Sequence, residues 1–222
     1  LSAPSRLVSP GDPVSGPSAS LAVHSRGLLL GVVLAALVVS GIQPADRATW
    51  ILEVLPVLIG APLLVATRRR FPLSRLLVWL LALDALILIL GGHYTYAKVP
   101  LGFWLQDAFG FARNHYDRLG HLAQGFVPAI LAREVLLRLS PLGRGGWLFL
   151  LVTCVCLAFS AFYELLEWWT AIAAGDAATA FLGTQGDIWD TQWDMFLALV
   201  GALAAQLTLA RAHDRSLREV WQ

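Results

Sequence analysis

The chain is poor in charge, cysteine and methionine, and each shortage narrows what it can be. Asp, Glu, Lys and Arg together make up 14% of its 222 residues, against 57% hydrophobic residues. That balance lies outside the range of soluble domains. The two cysteines, Cys154 and Cys156, stand two apart on one apolar stretch. Positions i and i+2 of a helix point to different sides, so they read as inert buried thiols and not as a disulfide. One Met against nine Trp suits a helical bundle with aromatic belts at two membrane surfaces.

Familiar catalytic signatures are missing too. The sequence has no HExxH, no P-loop and no GxSxG elbow. Glu164 and Glu167 lack the Glu-x-x-His spacing of di-iron bundles, and His115, Asp117 and His121 do not make the repeated His boxes of membrane desaturases. The basic residues sit in short loops without a continuous patch, which excludes a nucleic-acid partner.

Six long apolar stretches are present, near residues 26–43, 48–67, 72–92, 117–139, 147–169 and 188–210. Each approaches the ~20 residues a helix needs to cross a bilayer. The expected fold class is all-α: a polytopic membrane protein with about six transmembrane helices. Residues 1–24, rich in Ser, Pro and Gly, read as a disordered tail. Residues 25–212 read as one transmembrane domain and 213–222 as a cytoplasmic tail. The 93–116 loop is too apolar for a solvated connection and predicts an interfacial segment over the outer mouth of the bundle.

The net charge of +1 conceals a strong asymmetry. With both termini cytoplasmic, twelve arginines fall on that side, against Arg47, Lys98, Arg113 and Arg118 outside. Most of the acids fall in the outer half, together with His93, His115 and His121. Carboxylates in apolar spans are costly and need partners or a task.

Helical spacing gathers them into faces. Asp187, Asp190 and Asp194 share one face of the sixth stretch, Glu164 and Glu167 one face of the fifth, and Asp117, His121 and Gln124 one face of the fourth. Asp84 lies inside the third, and His93 and Tyr94 cap its outer end. So many carboxylates in one leaflet call for protonation, neutralisation by His and Arg, or a bound divalent metal ion. His with carboxylates is a ligand set for Zn, Mn or Fe. On that reading His121, Glu164 and Asp194 are the ligands, with Glu167 or Asp190 as general base. The bland alternatives are that Asp187 and Asp190 are ordinary residues at a helix N-terminus, and that Arg113 or Arg118 pairs with any of these acids. Glu134 and Arg138, four apart, read as a structural pair at the inner end.

The segments GGHYTYAKVP, NHYDRLGHLAQGF, FSAFYELLEWW and GTQGDIWDTQWDM, in that order on successive helices, resemble the YjdF-like inner-membrane protein family, a bacterial domain of unknown function. The resemblance covers roughly residues 30–212. It implies a multi-pass protein of the bacterial inner membrane. It also marks His93, His115, Asp117, His121, Glu164, Glu167, Gln185, Asp187, Asp190 and Asp194 as positions matching the family pattern. The last segment, with Gly201 after it, is also similar to VanZ-like membrane proteins, which implies a role in the cell envelope. Three functions follow as expectations: a cation-dependent enzyme acting on a lipid or envelope substrate, an accessory subunit joined to a membrane-protein partner or a second copy, and a proton- or cation-coupled transporter.

Overall fold

The computed structural model describes residues 17–175 and 179–220. The expected tail up to residue 16, and Asp176, lie outside them. Among the described residues there are helices and no strands. Helix α1 spans Pro17–Ser40, α2 Arg47–Glu53, α3 Leu55–Thr67, α4 Arg75–Tyr94, α5 Pro100–Phe109, α6 Tyr116–Leu139, α7 Gly146–Ala174, α8 Thr179–Leu182 and α9 Asp190–Arg218, with a 3-10 turn at Tyr96–Lys98.

Three of these, α4, α7 and α9, are long and apolar enough to cross a membrane, and four if α2 and α3 count as one bent span. Helix α1 carries a shorter apolar segment, Ser25–Ser40. Helix α6 is long enough at 24 residues, but Asp117, Arg118, Arg133, Glu134 and Arg138 make it polar for a lone span. It sits in the middle of the bundle, packed against α4, α7 and α9. Neighbours that cover its polar face are what such a helix requires. Large apolar side chains such as Val38, Ile59, Phe162, Trp168 and Leu207 face outward, the arrangement expected where the solvent is lipid.

The second stretch departs from a straight span. It breaks at Val54 with a bend of 43° between α2 and α3. The cause is Pro56, which has no N–H and whose ring excludes the carbonyl one turn earlier. Asp46 caps the start of α2, its carboxylate accepting from the Thr49 N–H at 2.7 Å. The break leaves Glu53 at the end of α2, where Gly92 of α4 gives it and Val54 room.

The 93–116 connection holds α5, with Phe103, Trp104, Phe109 and Phe111 exposed. Its ends are pinned. Tyr96 wedges between Gly91 of α4 and Gly120 of α6, where a Cβ at either glycine would overlap its ring. Asn114 is fully buried, donating to the Val99 carbonyl at 3.0 Å and accepting from the Tyr116 N–H at 3.0 Å. At the other end of the chain, α9 runs on to Arg218 and buries His213, Ser216 and Leu217, so the segment from residue 213 begins packed and helical.

Candidate functional site

Two glycines set the geometry of the site. A Cβ on Gly125 of α6 would overlap the backbone of Ala198 on α9, and a Cβ on Gly201 would overlap the backbone of Leu122. With no side chains between them, α6 and α9 touch main chain to main chain and run in the same direction. One turn toward the N-terminus from Gly125 and Ala198, at i−4 on each helix, stand His121 and Asp194. A further turn in that direction stand Asp117 and Asp190. The small residues thus dictate which polar residues meet.

His121 Nε2 lies 3.5 Å from Asp117 Oδ1 and 3.8 Å from Asp194 Oδ1. Helix α7 brings Glu164 and Glu167 within reach of the same imidazole. Ligand atoms of Asp117, His121 and Asp194 fall within 4.8 Å of one another, and so do those of His121, Glu164 and Glu167. His121 is common to both groups. The trio expected from the sequence is therefore divided: Asp194 groups with Asp117, and Glu164 with Glu167.

These groups are buried and under-satisfied. His121, Glu164 and Asp194 are 8%, 7% and 3% exposed. His121 Nδ1, both oxygens of Glu164 and Asp194 Oδ1 are buried without a hydrogen-bond partner. Thr191 stands beside Glu164 without a well-formed bond to it. Orphaned polar atoms at this density are costly, at about 1–3 kcal/mol each and more when charged. Glu53 joins the group, close enough to interact electrostatically with Asp117, His121 and Glu167. Sequence reading left Glu53 out of the cluster because the bend at Pro56 is what turns its helix end toward α6.

Around this centre most of the other expected members have partners of their own, although His115 Nδ1 is buried without one. Arg113 donates to Asp190 at 2.7 Å and reaches Asp187 at 3.4 Å, and Arg118 donates to Asp187 at 2.7 Å. Those two acids are neutralised, which makes Asp190 a poor general base. Gln185 closes a two-way latch with Asn114, accepting from its N–H and donating to its carbonyl at 3.1 and 2.8 Å. His93 contacts the Ser40 carbonyl through Nδ1 at 2.8 Å and belongs to the α1–α4 joint. His115 packs edge-on against Phe111; partial burial, then Arg118 and Arg113, hold it below the usual imidazole range, so it is neutral at pH 7. Asp84 has no charged neighbour and stands apart from the cluster.

Arg113→Leu should therefore lower stability by roughly 2 kcal/mol by stranding Asp190. Adding Asp190→Asn should restore most of the loss in a thermal melt of purified protein. Equal melts for all three proteins would show that the pair carries no weight.

The opposite end of α6 holds a second polar network, in which every charged group has a partner of opposite charge or a hydrogen bond, while Ser74 Oγ is left without one. Glu134, fully buried, accepts from the Ser74 N–H at 2.9 Å, from Arg138 at 2.8 Å and from His213 Nε2 at 3.0 Å. Arg133 contacts His213 Nδ1 at 2.8 Å. A guanidinium can only donate, so Nδ1 is bare and His213 is the neutral tautomer protonated on Nε2. Arg133 and Arg144 both pair with Asp214, at 2.8 and 2.9 Å. The expected Glu134–Arg138 pair is thus one edge of a larger knot joining α4, α6 and α9. Between the two polar ends lies an apolar layer that includes Ala129, Ile130, Val152, Ala202 and Ala205.

Comparison with known proteins matches residues 26–215 to the family described as predicted membrane protein (DUF2238). The chain is 52% identical over 198 residues to the inner membrane protein YjdF of Escherichia coli (strain K12), covering 89% of this chain and 93% of that protein. No solved structure matches it.

Proposed function

The chain belongs to the predicted membrane protein family DUF2238, and from that premise we propose that it is a cation-dependent enzyme of the bacterial inner membrane, acting at the outer leaflet on a lipid or envelope substrate. The observation that carries this reading is the contrast between the two polar networks. The inner one pairs each of its charged groups, Glu134 with Arg138 and His213, and Asp214 with Arg133 and Arg144, and leaves Ser74 Oγ as a neutral orphan. The outer one leaves His121 Nδ1, Glu164 and Asp194 Oδ1 without partners, and no Lys or Arg of the described residues pairs with Glu53, Asp117, Glu164, Glu167 or Asp194. Orphan carboxylates beside a buried imidazole are what a hard or borderline divalent cation satisfies.

The bundle is read as six crossings, α1, the bent pair α2–α3, α4, α6, α7 and α9, with both termini cytoplasmic. Supporting this are the arginines gathered at the inner end and the aromatic residues around α5 and Trp189 at the other. The 52%-identical relative named as an inner membrane protein agrees with that placement. In this frame a cation held at His121 would supply Lewis acidity to a water, and Glu53 or Glu167 is the neighbouring carboxylate that would take its proton.

A lipid substrate is favoured by the surroundings. An open groove of about 390 Å³ runs along the outward face of α9, lined by Trp189, Gln192, Trp193 and Phe196. Arg118 lies over the Trp193 ring at 5.2 Å from its centroid. The groove lies at the height of Asp190 and Asp194 on the opposite, exposed face of α9, and the exposed aromatics of α5 supply a second apolar surface. Transport has less support, because the apolar layer separates the two polar ends. An accessory role has less too, since Gly201 and Ala205 are taken up inside the bundle.

The test is metal content. Protein purified in detergent should retain a divalent cation or take one up at neutral pH, and His121→Ala should reduce its affinity at least 100-fold. Wild-type protein that binds no Zn, Mn or Mg by calorimetry or elemental analysis would overturn the proposal.

A further inference from the structure

We infer that the outer centre holds two divalent cations side by side, one against Asp117 and Asp194 and the other against Glu164 and Glu167, with His121 in reach of both positions and a ligand to one. This rests on the cation-site reading above and deepens it.

Geometry supplies the first argument. Ligand atoms at about 2.1 Å from one ion lie no more than roughly 4.2 Å apart. The five donors form two groups, each drawn within 4.8 Å, that share His121 and do not merge into one. One ion in contact with Asp117 and Asp194 is therefore out of reach of Glu164 and Glu167 together. Each group needs to tighten by only a few tenths of an ångström.

Charge supplies the second. Arg113 and Arg118 are taken up by Asp187 and Asp190. A cation binds these carboxylates in their ionised form, and the four of them would then carry four negative charges with no Lys or Arg of the described residues paired to any of them. One divalent ion leaves two of them uncompensated in a site where Glu164 is 7% exposed; two ions balance them. Both oxygens of Glu164 are unpartnered and buried, so that the second position has its own demand for a ligand, independent of the first. His121 belongs to both groups, with Nε2 beside Asp117 and Asp194; as a neutral imidazole it would ligate one of the two ions through a single nitrogen.

Two adjacent ions give the site a specific chemical capacity. Two ions held about 3.5–4 Å apart would supply a clamp for the attacking and leaving oxygens of an in-line displacement, the chemistry suited to esters of phosphoric acid. With Glu167 serving as a ligand, Glu53 is the remaining carboxylate beside the pair and the one placed to accept a proton from bound water.

The experiment uses full-length protein in detergent, stripped with chelator, loaded with Mn2+ alone and dialysed. Manganese per chain is counted by elemental analysis, and spin coupling is read by electron paramagnetic resonance. The expected result is about two Mn2+ per chain with an exchange-coupled signal, falling to about one, with an uncoupled signal, in Glu167→Gln and in Asp194→Asn separately. One uncoupled Mn2+ in the wild type would overturn this inference and leave the single-site reading standing. No bound Mn2+, Zn2+ or Mg2+ would remove both. The wild-type signal decides the matter without any variant, so a misfolded substitution does not blur the outcome.

Discussion

Replacing Gly125 with alanine should do more damage than removing any single ligand. The added Cβ would fall on the Ala198 carbonyl, which is helical backbone and cannot swing aside as a side chain can. Helices α6 and α9 must then part along the whole of their contact, at a cost of about 3 kcal/mol or more. Separation also pulls His121 away from Asp194, one turn out, so cation binding should vanish together with stability. Gly31→Ala is the matched control. It lies in a helix with nothing within 4 Å of the added carbon, and alanine there should be neutral or should stabilise by roughly 0.5–1 kcal/mol. Thermal unfolding in detergent, read beside metal content, separates the two variants. A Gly125→Ala protein that melts like wild type would show that the main-chain contact does not set the helix spacing.

Glu134→Gln carries the second large effect, at the other end of α6. The carboxylate accepts from a backbone N–H, a guanidinium and an imidazole at once. The amide keeps one acceptor oxygen, loses the charge, and turns an NH2 toward at least one group that can only donate. Breaking a buried, charge-assisted network in this way costs roughly 3–5 kcal/mol. Asp214→Asn, at a site about one-fifth exposed, should cost much less. Hydrogen exchange should locate the loss: amides around Ser74, Arg133 and His213 should lose protection while those near Tyr96 keep theirs. Uniform protection in Glu134→Gln would mean that the knot does not hold α4, α6 and α9 together.

Much of the fold was legible because lipid imposes a simple rule on sequence. Long apolar runs become helices, and the six stretches fall on α1, the α2–α3 pair, α4, α6, α7 and α9 to within several residues. Helix α6 was legible despite its charges, since 24 residues of helical pattern could be stable if buried by neighbours. The bend at Val54 was missed although Pro56 is plainly there. A proline in a span is compatible with continuation as well as with a break, and the choice depends on packing.

The candidate site was legible as faces and not as partnerships. Periodicity places Asp117 with His121, and Glu164 with Glu167. It does not say that α6 and α9 touch at Gly125 and Ala198, which is what brings Asp194 to His121. Nor does it choose between Arg113 and a metal as the partner of Asp190; the structure gives that acid to Arg113. Glu53 was missed because it reaches the cluster only through the bend. His213 was hidden in a segment that composition marks as a tail, where one histidine carries no signal until its neighbours are known.

The glycine contact has a consequence for selectivity. On the cation-site proposal, the half of the pocket between Asp117 and Asp194 has its width set by two touching backbones, and it dilates less readily than one spaced by leucines. The spacing at Gly125 and Gly201 therefore works as a calliper. Ions of small radius should seat between the carboxylates, and barium or strontium should be turned away by size, however well their hardness suits oxygen.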